Sequence, residues 1–105
     1  MPSQGFGVPE VLSEADVDAA LAARSLDWER QGGQLVKVVR RRDFAGALAF
    51  VNAIGVVAEA ANHHPDIDIR WDTVTLYLST HSAGGITAAD LDLAAAIDRL
   101  GGSDT

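Results

Sequence analysis

The middle of the chain alternates between apolar and polar side chains. The alternation has a period of two through residues 66–72 and again through residues 74–79. Such a period is typical of strands that bury one face, and it predicts two strands around a tight turn at Asp72-Thr73. The apolar positions that this pattern directs towards a core are Ile67, Ile69, Trp71, Val74, Leu76 and Leu78.

Three other segments space their apolar residues as a helix does. Each opens on a residue whose side-chain oxygen can cap the first turn, and the first and third also have the acidic residue that completes a capping box. The second segment is so apolar that we predict a helix buried across much of its surface, ended by Pro65. The predicted helices begin at Ser13, Asp43 and Thr87 and end near Arg24, Ala61 and Leu100.

A glycine pair separates two short extended runs. Residues 28–31 and 34–39 flank Gly32-Gly33, and glycine adopts the positive φ angles that tight hairpin turns need. The element order is then α-β-β-α-β-β-α. It predicts an α+β fold, in which a four-stranded antiparallel sheet has helices packed on one face. We expect a single domain over residues 1–105, with flexible ends at residues 1–12 and 101–105.

Charge and composition exclude several classes of function. The chain has 15 acidic and 8 basic residues, and its formal net charge of −7 disfavours binding to nucleic acid. It contains no cysteine, which excludes disulfide, thiolate and zinc–sulfur chemistry. No apolar run approaches the length of about 20 residues that a membrane span needs. We therefore expect a cytoplasmic protein with neither a nucleic-acid nor a membrane partner.

The three histidines lie at the ends of predicted elements. His63 and His64 precede Pro65, where the long helix gives way to the third strand, and His81 follows the fourth strand. Since these strands form a hairpin, the end of the fourth returns to the start of the third, and His81 is expected near His64. Imidazole gives and takes protons near neutral pH, which suits general acid–base catalysis.

A carboxylate accompanies this cluster. Glu59 stands four residues before His63, so on a continuous helix the two share a face, and we expect Glu59 to orient His63 or to hold it charged. A metal site is an alternative, because imidazoles and a carboxylate can bind Zn²⁺ or Fe²⁺. The helical His-x-x-x-His spacing is absent and adjacent side chains diverge, so we expect no metal. A helix stop without chemistry is the remaining interpretation of His-His-Pro.

The spacing of these residues resembles that of the pterin-4a-carbinolamine dehydratase family. The family signature combines His-His-Pro with an acidic residue upstream and with an aromatic residue, a third histidine and an aspartate downstream. The similarity covers about residues 13–100. The positions that match the signature are Glu59, His63, His64, Pro65, Trp71, His81 and Asp90.

The resemblance implies an activity and a site. Members of the family dehydrate 4a-hydroxytetrahydropterin, the 4a-carbinolamine released by aromatic amino acid hydroxylases, to the quinonoid dihydropterin without a metal or organic cofactor. The histidines would deliver a proton to the leaving hydroxyl and remove one from a ring nitrogen. The implied catalytic residues are His63, His64, His81 and Glu59, and the implied substrate-binding residues are His63, His64, Pro65, Asp66, Trp71, Thr80, His81, Ser82 and Ala83.

The resemblance also implies partners and leaves alternatives open. Members form homodimers or homotetramers, and a mammalian member binds a homeodomain transcription factor. The alternative function is therefore a non-catalytic, oligomeric protein-binding module on the same fold. Ser82 stands where many relatives have Asp. We interpret Trp71 as a wall of the sheet or pocket and Asp90 as a helix cap, and the sequence does not assign which histidine is the acid and which the base.

Overall fold

The computed structural model of the chain describes residues 10–100. Within this range three helices and four strands follow the predicted order. They are α1 (Glu14–Ala23), β1 (Glu29–Gln31), β2 (Gln34–Arg40), α2 (Phe44–Ala61), β3 (Asp66–Arg70), β4 (Thr73–Leu78) and α3 (Ala88–Leu100). Of the two ends that the sequence predicts to be flexible, residues 1–9 and 101–105 lie outside the described residues.

The four strands form one antiparallel sheet in the order β1-β2-β4-β3. The hairpins β1–β2 and β3–β4 are joined between β2 and β4, where Leu35 pairs with Leu78 and Val39 with Val74. Side chains directly opposite one another share a face, so this register collects apolar positions on one side of the sheet. The helices pack on that side, and the predicted α+β fold is confirmed.

The core lies between this face and the helices. Burial of one large apolar side chain contributes about 1.5–3 kcal/mol, so the interlocked faces supply the main stabilisation. Because α2 and α3 pack against each other on the sheet, residues far apart in sequence meet at their ends. The buried members from helices and strands are Val17, Leu35, Ala47, Phe50, Ile54, Ala58, Val74, Leu76, Leu78, Leu91, Leu93, Ala94 and Ile97.

The turn between β3 and β4 lies one residue earlier than predicted. Arg70 pairs with Thr73, so Trp71 and Asp72 make the turn, and Trp71 is 69 % exposed with φ 56°. Asp72 holds this turn, because its buried carboxylate accepts hydrogen bonds from Arg40 Nε at 3.3 Å and Thr73 Oγ1 at 3.0 Å. The prediction that Trp71 faces the core is therefore wrong.

α2 is less buried than its composition predicts. Only one side of the helix contacts the rest of the fold, and 22 % of its residues are buried. Its 18 residues have a mean hydropathy of 1.7. By length and composition alone the helix could cross a membrane, but core helices of soluble proteins have the same properties. The core side consists of Ala47, Phe50, Ile54 and Ala58, whereas Phe44, Leu48 and Val56 are exposed.

Candidate active site

The end of α2 directs the histidine pair away from the helix. Asn62 adopts the left-handed conformation (φ 53°, ψ 41°), which asparagine tolerates better than most residues, and this ends α2 before Pro65 is reached. The N–H of His63 donates to the carbonyl oxygen of Ala58 at 3.1 Å and completes the cap. The predicted end of α2 at Ala61 is confirmed, but Asn62, and not Pro65 as predicted, ends the helix.

His63 points towards the first turn of α3. Its Nε2 lies 2.5 Å from Oδ1 of Asp90, and the His63 side chain is 17 % exposed whereas that of Asp90 is fully buried. An ionised carboxylate only accepts, so Nε2 carries the proton of this bond and Nδ1 is the ring nitrogen left for another partner. The prediction that Glu59 orients His63 or holds it charged is wrong, because His63 contacts Asp90 and the Glu59 carboxylate contacts His64 instead.

Asp90 is held from two elements at once. Its Oδ2 accepts a hydrogen bond from the Thr87 N–H at 2.9 Å, which is the predicted capping box, and another from the Thr80 hydroxyl at 2.8 Å. Together with His63, these donors satisfy a carboxylate that would be costly to bury alone. Asp90 is therefore both the predicted helix cap and the partner of a histidine.

His64 forms a second pair of ring and carboxylate, this time at the surface. Its Nε2 lies 2.6 Å from Oε2 of Glu59, and the two side chains are 55 % and 78 % exposed. Water screens such a pair, so it adds little to stability and acts mainly on the orientation of the ring. The adjacent histidines thus turn to different carboxylates on different helices.

His81 lies in a tight turn after β4. Thr80 and Gly85 form an isolated bridge across this turn, and the Thr80 carbonyl accepts the N–H of Gly84 at 2.9 Å. Gly84 has φ 82°, a conformation that glycine adopts without strain. The side chain of His81 is exposed. The turn therefore holds the exposed imidazole of His81 on a backbone that is fixed by hydrogen bonds.

The strand register places His64 and His81 at the same end of the β3–β4 hairpin. Asp66 pairs with Tyr77, so both histidines flank the open end of the hairpin. Trp71 lies in the turn at the opposite end, beyond the five residues of β3, or about 17 Å at the rise of an extended strand. Within one chain the structure therefore brings the histidines to one end of the sheet and leaves Trp71 at the other.

The remaining residues implied by the family resemblance surround the histidines unevenly. Pro65 is partly buried, and Asp66 is exposed at the start of β3. In the turn after β4, Ser82 is exposed and Ala83 is partly buried. Thr80 is only 7 % exposed and its hydroxyl is hydrogen-bonded inside the protein.

The arrangement suits proton transfer at an open surface. A cavity of about 620 Å³ between β2 and α3 is lined by Lys37, Phe50 and Asp98 among others, and by no histidine. Across residues 10–100, His, Asp and Glu side chains nowhere gather in a group of three or more that could hold a metal ion. The carboxylates near His63 and His64 instead engage one ring each, which orients those rings for acid–base work.

Sequence reasoning missed the contact between Asp90 and His63. The spacing of Thr87 and Asp90 predicts a helix start, and that local role is real. The second role arises only because α2 packs on α3, which no local pattern reveals. The available signal was the aspartate of the family signature, at a fixed distance from the third histidine.

Comparison of the sequence with known proteins gives a consistent result. The family described as Pterin 4 alpha carbinolamine dehydratase matches residues 10–100. A protein of Nocardia farcinica is 50 % identical over 91 residues, covering 87 % of this chain and 95 % of the relative. A protein of Roseiflexus castenholzii is 49 % identical over 90 residues, covering 86 % and 96 %. Both relatives are named as pterin-4-alpha-carbinolamine dehydratases, and both names mark the assignment as provisional.

Solved structures share the fold. A transcriptional coactivator/pterin dehydratase from Brucella melitensis superposes with a TM-score of 0.81 at 28 % identity, covering 89 % of this chain and all of that one. A pterin dehydratase-like protein described as a RuBisCO assembly factor in the α-carboxysome gives 0.63 at 28 % identity, covering 76 % and 95 %. By sequence and by fold, the chain belongs to the pterin 4 alpha carbinolamine dehydratase family.

Proposed function

We propose that the protein dehydrates 4a-hydroxytetrahydropterin to the quinonoid dihydropterin and so takes part in tetrahydropterin recycling. The observation that carries this proposal is the pair of oriented rings: Nε2 of His63 on Asp90 and Nε2 of His64 on Glu59, beside His81 at the same end of the sheet. Membership of the family supports the pterin as substrate, and the ring nitrogens support the chemistry.

The reaction needs two proton transfers. The bond between C4a and the hydroxyl oxygen breaks, that oxygen takes up a proton and leaves as water, and a proton departs from a ring nitrogen of the pterin. A charged imidazole can supply the first proton and a neutral imidazole can accept the second. A set of histidines therefore suffices for the reaction, and no oxidant or reductant is consumed.

Exposure divides the roles among the three rings. His64 and His81 have open side chains, and we assign the two proton transfers to them. His63 is mostly covered and its Nε2 is engaged by Asp90, so we assign it to holding and orienting the pterin. Glu59 orients His64, which differs from the role expected for it from helix spacing.

The test is the rate at which purified, chelator-treated protein dehydrates 4a-hydroxytetrahydropterin generated in situ. We expect wild type to accelerate the reaction, and His64→Ala and His81→Ala each to lower kcat by roughly 10²-fold or more. Gln31→Ala removes an exposed polar side chain on β1 and is the control that keeps wild-type kcat. A wild-type protein without activity would overturn the proposal and favour the protein-binding module.

We also propose that the protein is a homodimer or homotetramer. The exposed apolar side chains Phe44, Leu48 and Val56 support this, because all three lie on α2 outside its buried stripe. Large apolar side chains exposed close together on one helix are typical of a surface that contacts another protein. The same surface is what a protein-binding module would use, so the two candidate functions share it.

Sedimentation equilibrium tests the oligomer. We expect Leu48→Arg and Val56→Arg to dissociate the wild-type assembly into monomers with an intact circular dichroism spectrum. Val38→Arg is the control, since Val38 is 64 % exposed on β2, away from α2, and should leave the assembly unchanged. A monomeric wild type at micromolar concentration would contradict the proposal.

A further inference from the structure

Thr80 is the residue at which the two histidine-bearing parts of the site meet. It ends the run of residues that leads from β4 into the turn of His81, and its side chain lies against the first turn of α3. Its hydroxyl donates to Oδ2 of Asp90 at 2.8 Å, and Oδ1 of the same carboxylate binds His63. Thr80 and His63 therefore bind the same carboxylate, and Thr80 is also the residue directly before His81.

The hydrogen bonds around Thr80 have a fixed direction. A hydroxyl has one proton to donate, and that of Thr80 goes to Asp90, so the contact at 2.7 Å with the Thr87 hydroxyl must be donated by Thr87. The Thr87 oxygen in turn accepts the Ala89 N–H at 3.2 Å. In this series of hydrogen bonds, each hydroxyl donates in the direction of Asp90. The carboxylate is therefore the final acceptor, and Nε2 of His63 donates to it.

The backbone of Thr80 fixes the other histidine. Its N–H donates to the carbonyl oxygen of Gly85 at 2.8 Å, and its carbonyl oxygen accepts the N–H groups of Ala83 at 3.0 Å and Gly84 at 2.9 Å. These bonds close the turn in which His81 is the next residue after Thr80. The position of the Thr80 backbone therefore sets the position from which His81 projects.

We propose that Thr80 is a positioning residue that sets the tautomer of His63 and the placement of His63 relative to His81. The assignment of a catalytic role to these rings rests on the proposed dehydratase function, whereas the positioning itself does not. The hydroxyl acts through Asp90 and the backbone acts through the turn. The family resemblance places Thr80 in a substrate-binding stretch, and the proposal adds a positioning role for its side chain.

The experiment compares three variants by kinetics and by ¹⁵N NMR of the imidazoles. Thr80→Val removes the hydroxyl at nearly constant shape, and Thr80→Ser keeps the hydroxyl. Thr75→Val is the control, because it also replaces threonine by valine but at a position on β4 outside the site. We expect Thr80→Val to lower kcat by roughly 10- to 100-fold, the scale of a misplacement of about 1 Å, with a smaller change in KM. Its His63 Nε2–H signal should move, and the His81 amide should shift with it.

The outcomes separate positioning from substrate contact and from general structure. Thr80→Ser should keep kcat within about threefold of wild type and retain the His63 signal, and Thr75→Val should change neither. Wild-type kcat in Thr80→Val, or a rise in KM alone, would overturn the proposal. If Thr80→Val does not fold, Thr80→Ser still decides, because loss of the His63 signal despite a retained hydroxyl would also overturn it.

A double-substitution cycle gives a second readout. If Thr80 acts through Asp90, adding Thr80→Val to Asp90→Asn should lower kcat no further. Independent, multiplicative losses would contradict the proposal. An inactive wild type whose His63 and His81 signals still respond to Thr80→Val would reject the dehydratase function and would support the positioning, so the two failures are distinguishable.

Discussion

Nε2 of His63 lies 2.5 Å from Oδ1 of Asp90, a carboxylate with no solvent exposure at the start of α3. The contact joins the end of one helix to the beginning of another, and it leaves Nδ1 as the ring nitrogen available to another partner. A histidine fixed in this way has one nitrogen committed to structure and one free for chemistry, which is how a buried aspartate can influence a reaction that it does not touch.

Asp90→Asn should impair activity more than any other carboxylate substitution in the described part of the chain. An amide can donate towards its neighbours, so it no longer enforces Nε2–H on His63. We expect kcat to fall by about 10²-fold, because a misoriented His63 no longer places the pterin for proton transfer. Loss of the charged acceptor should also lower the free energy of unfolding by about 1–3 kcal/mol. Steady-state kinetics and urea unfolding measure the two effects.

The control for this substitution is Asp92→Asn on the same helix. Asp92 is exposed and pairs with Arg24 at 3.1 Å, so its loss should change unfolding little and kcat not at all. Equal losses of kcat in the two variants would show that the effect of Asp90 is not specific to His63.

Glu59→Gln should act on activity and barely on stability. The His64–Glu59 pair is largely exposed, so its Coulomb energy is screened, yet the carboxylate still orients the ring. We expect a loss of kcat smaller than that of Asp90→Asn, with an unchanged urea midpoint. Glu29→Gln on β1 is the matched control, and a wild-type kcat in Glu59→Gln would remove Glu59 from the site.

Asn62→Val should disturb the direction of both histidines. A β-branched residue at φ 53° costs about 1–2 kcal/mol, so the end of α2 must either strain or rearrange. We expect lower stability and lower kcat, whereas Asn62→Gly, which tolerates this conformation, should stay close to wild type. Asn52→Val makes the same exchange at a helical position and serves as control, and an active, fully stable Asn62→Val would contradict the role of the cap.

Gly84→Ala should affect His81 without affecting His63. A methyl group at Gly84 meets no atom within 4 Å, so the cost comes only from the positive φ of 82°, about 1 kcal/mol of backbone strain. We expect reduced kcat/KM, a shifted His81 resonance and an unshifted His63 resonance. Gly33→Ala has equal space and no positive φ, and it should be neutral in all three measurements.

The pair of Arg30 and Asp18 predicts a pH dependence of stability away from the site. The hydrogen bond from Arg30 at 2.8 Å lowers the pKa of Asp18, so this group favours the folded state above its unfolded pKa and loses that contribution as the pH falls through the folded one. Asp18→Asn should therefore be less stable than wild type at neutral pH and equal to it in strong acid. Urea unfolding at both pH values tests this, and an equal deficit in acid would contradict it.

The strand and helix pattern predicts most of the fold because one side of nearly every element is buried. The alternation from Val74 to Leu78 and the caps at Ser13 and Asp43 depend on local geometry, and all are found. The alternation pattern misplaces the turn at Trp71 because Asp72, whose buried carboxylate holds this turn, has its partner Arg40 on another strand, β2.

The sequence predicts which residues make up the candidate site, but not which carboxylate contacts which histidine. Hairpin geometry brings His81 to the end where His64 lies, and that much follows from order along the chain. Which carboxylate holds which ring depends on a left-handed Asn62 and on the packing of α2 against α3. Helix spacing predicts a contact between Glu59 and His63. In the structure, with the left-handed cap at Asn62, Glu59 contacts His64 and Asp90 contacts His63.

The position of the site along the chain has a consequence for how the molecule folds. Its residues from Glu59 to Asp90 form one continuous stretch that includes the β3–β4 hairpin, whereas β2 reaches β4 only across the whole of α2. Closing a short loop loses less chain entropy than closing a long one. We therefore expect the histidine end of the sheet to be organised early in folding, with β1 and β2 added to it afterwards.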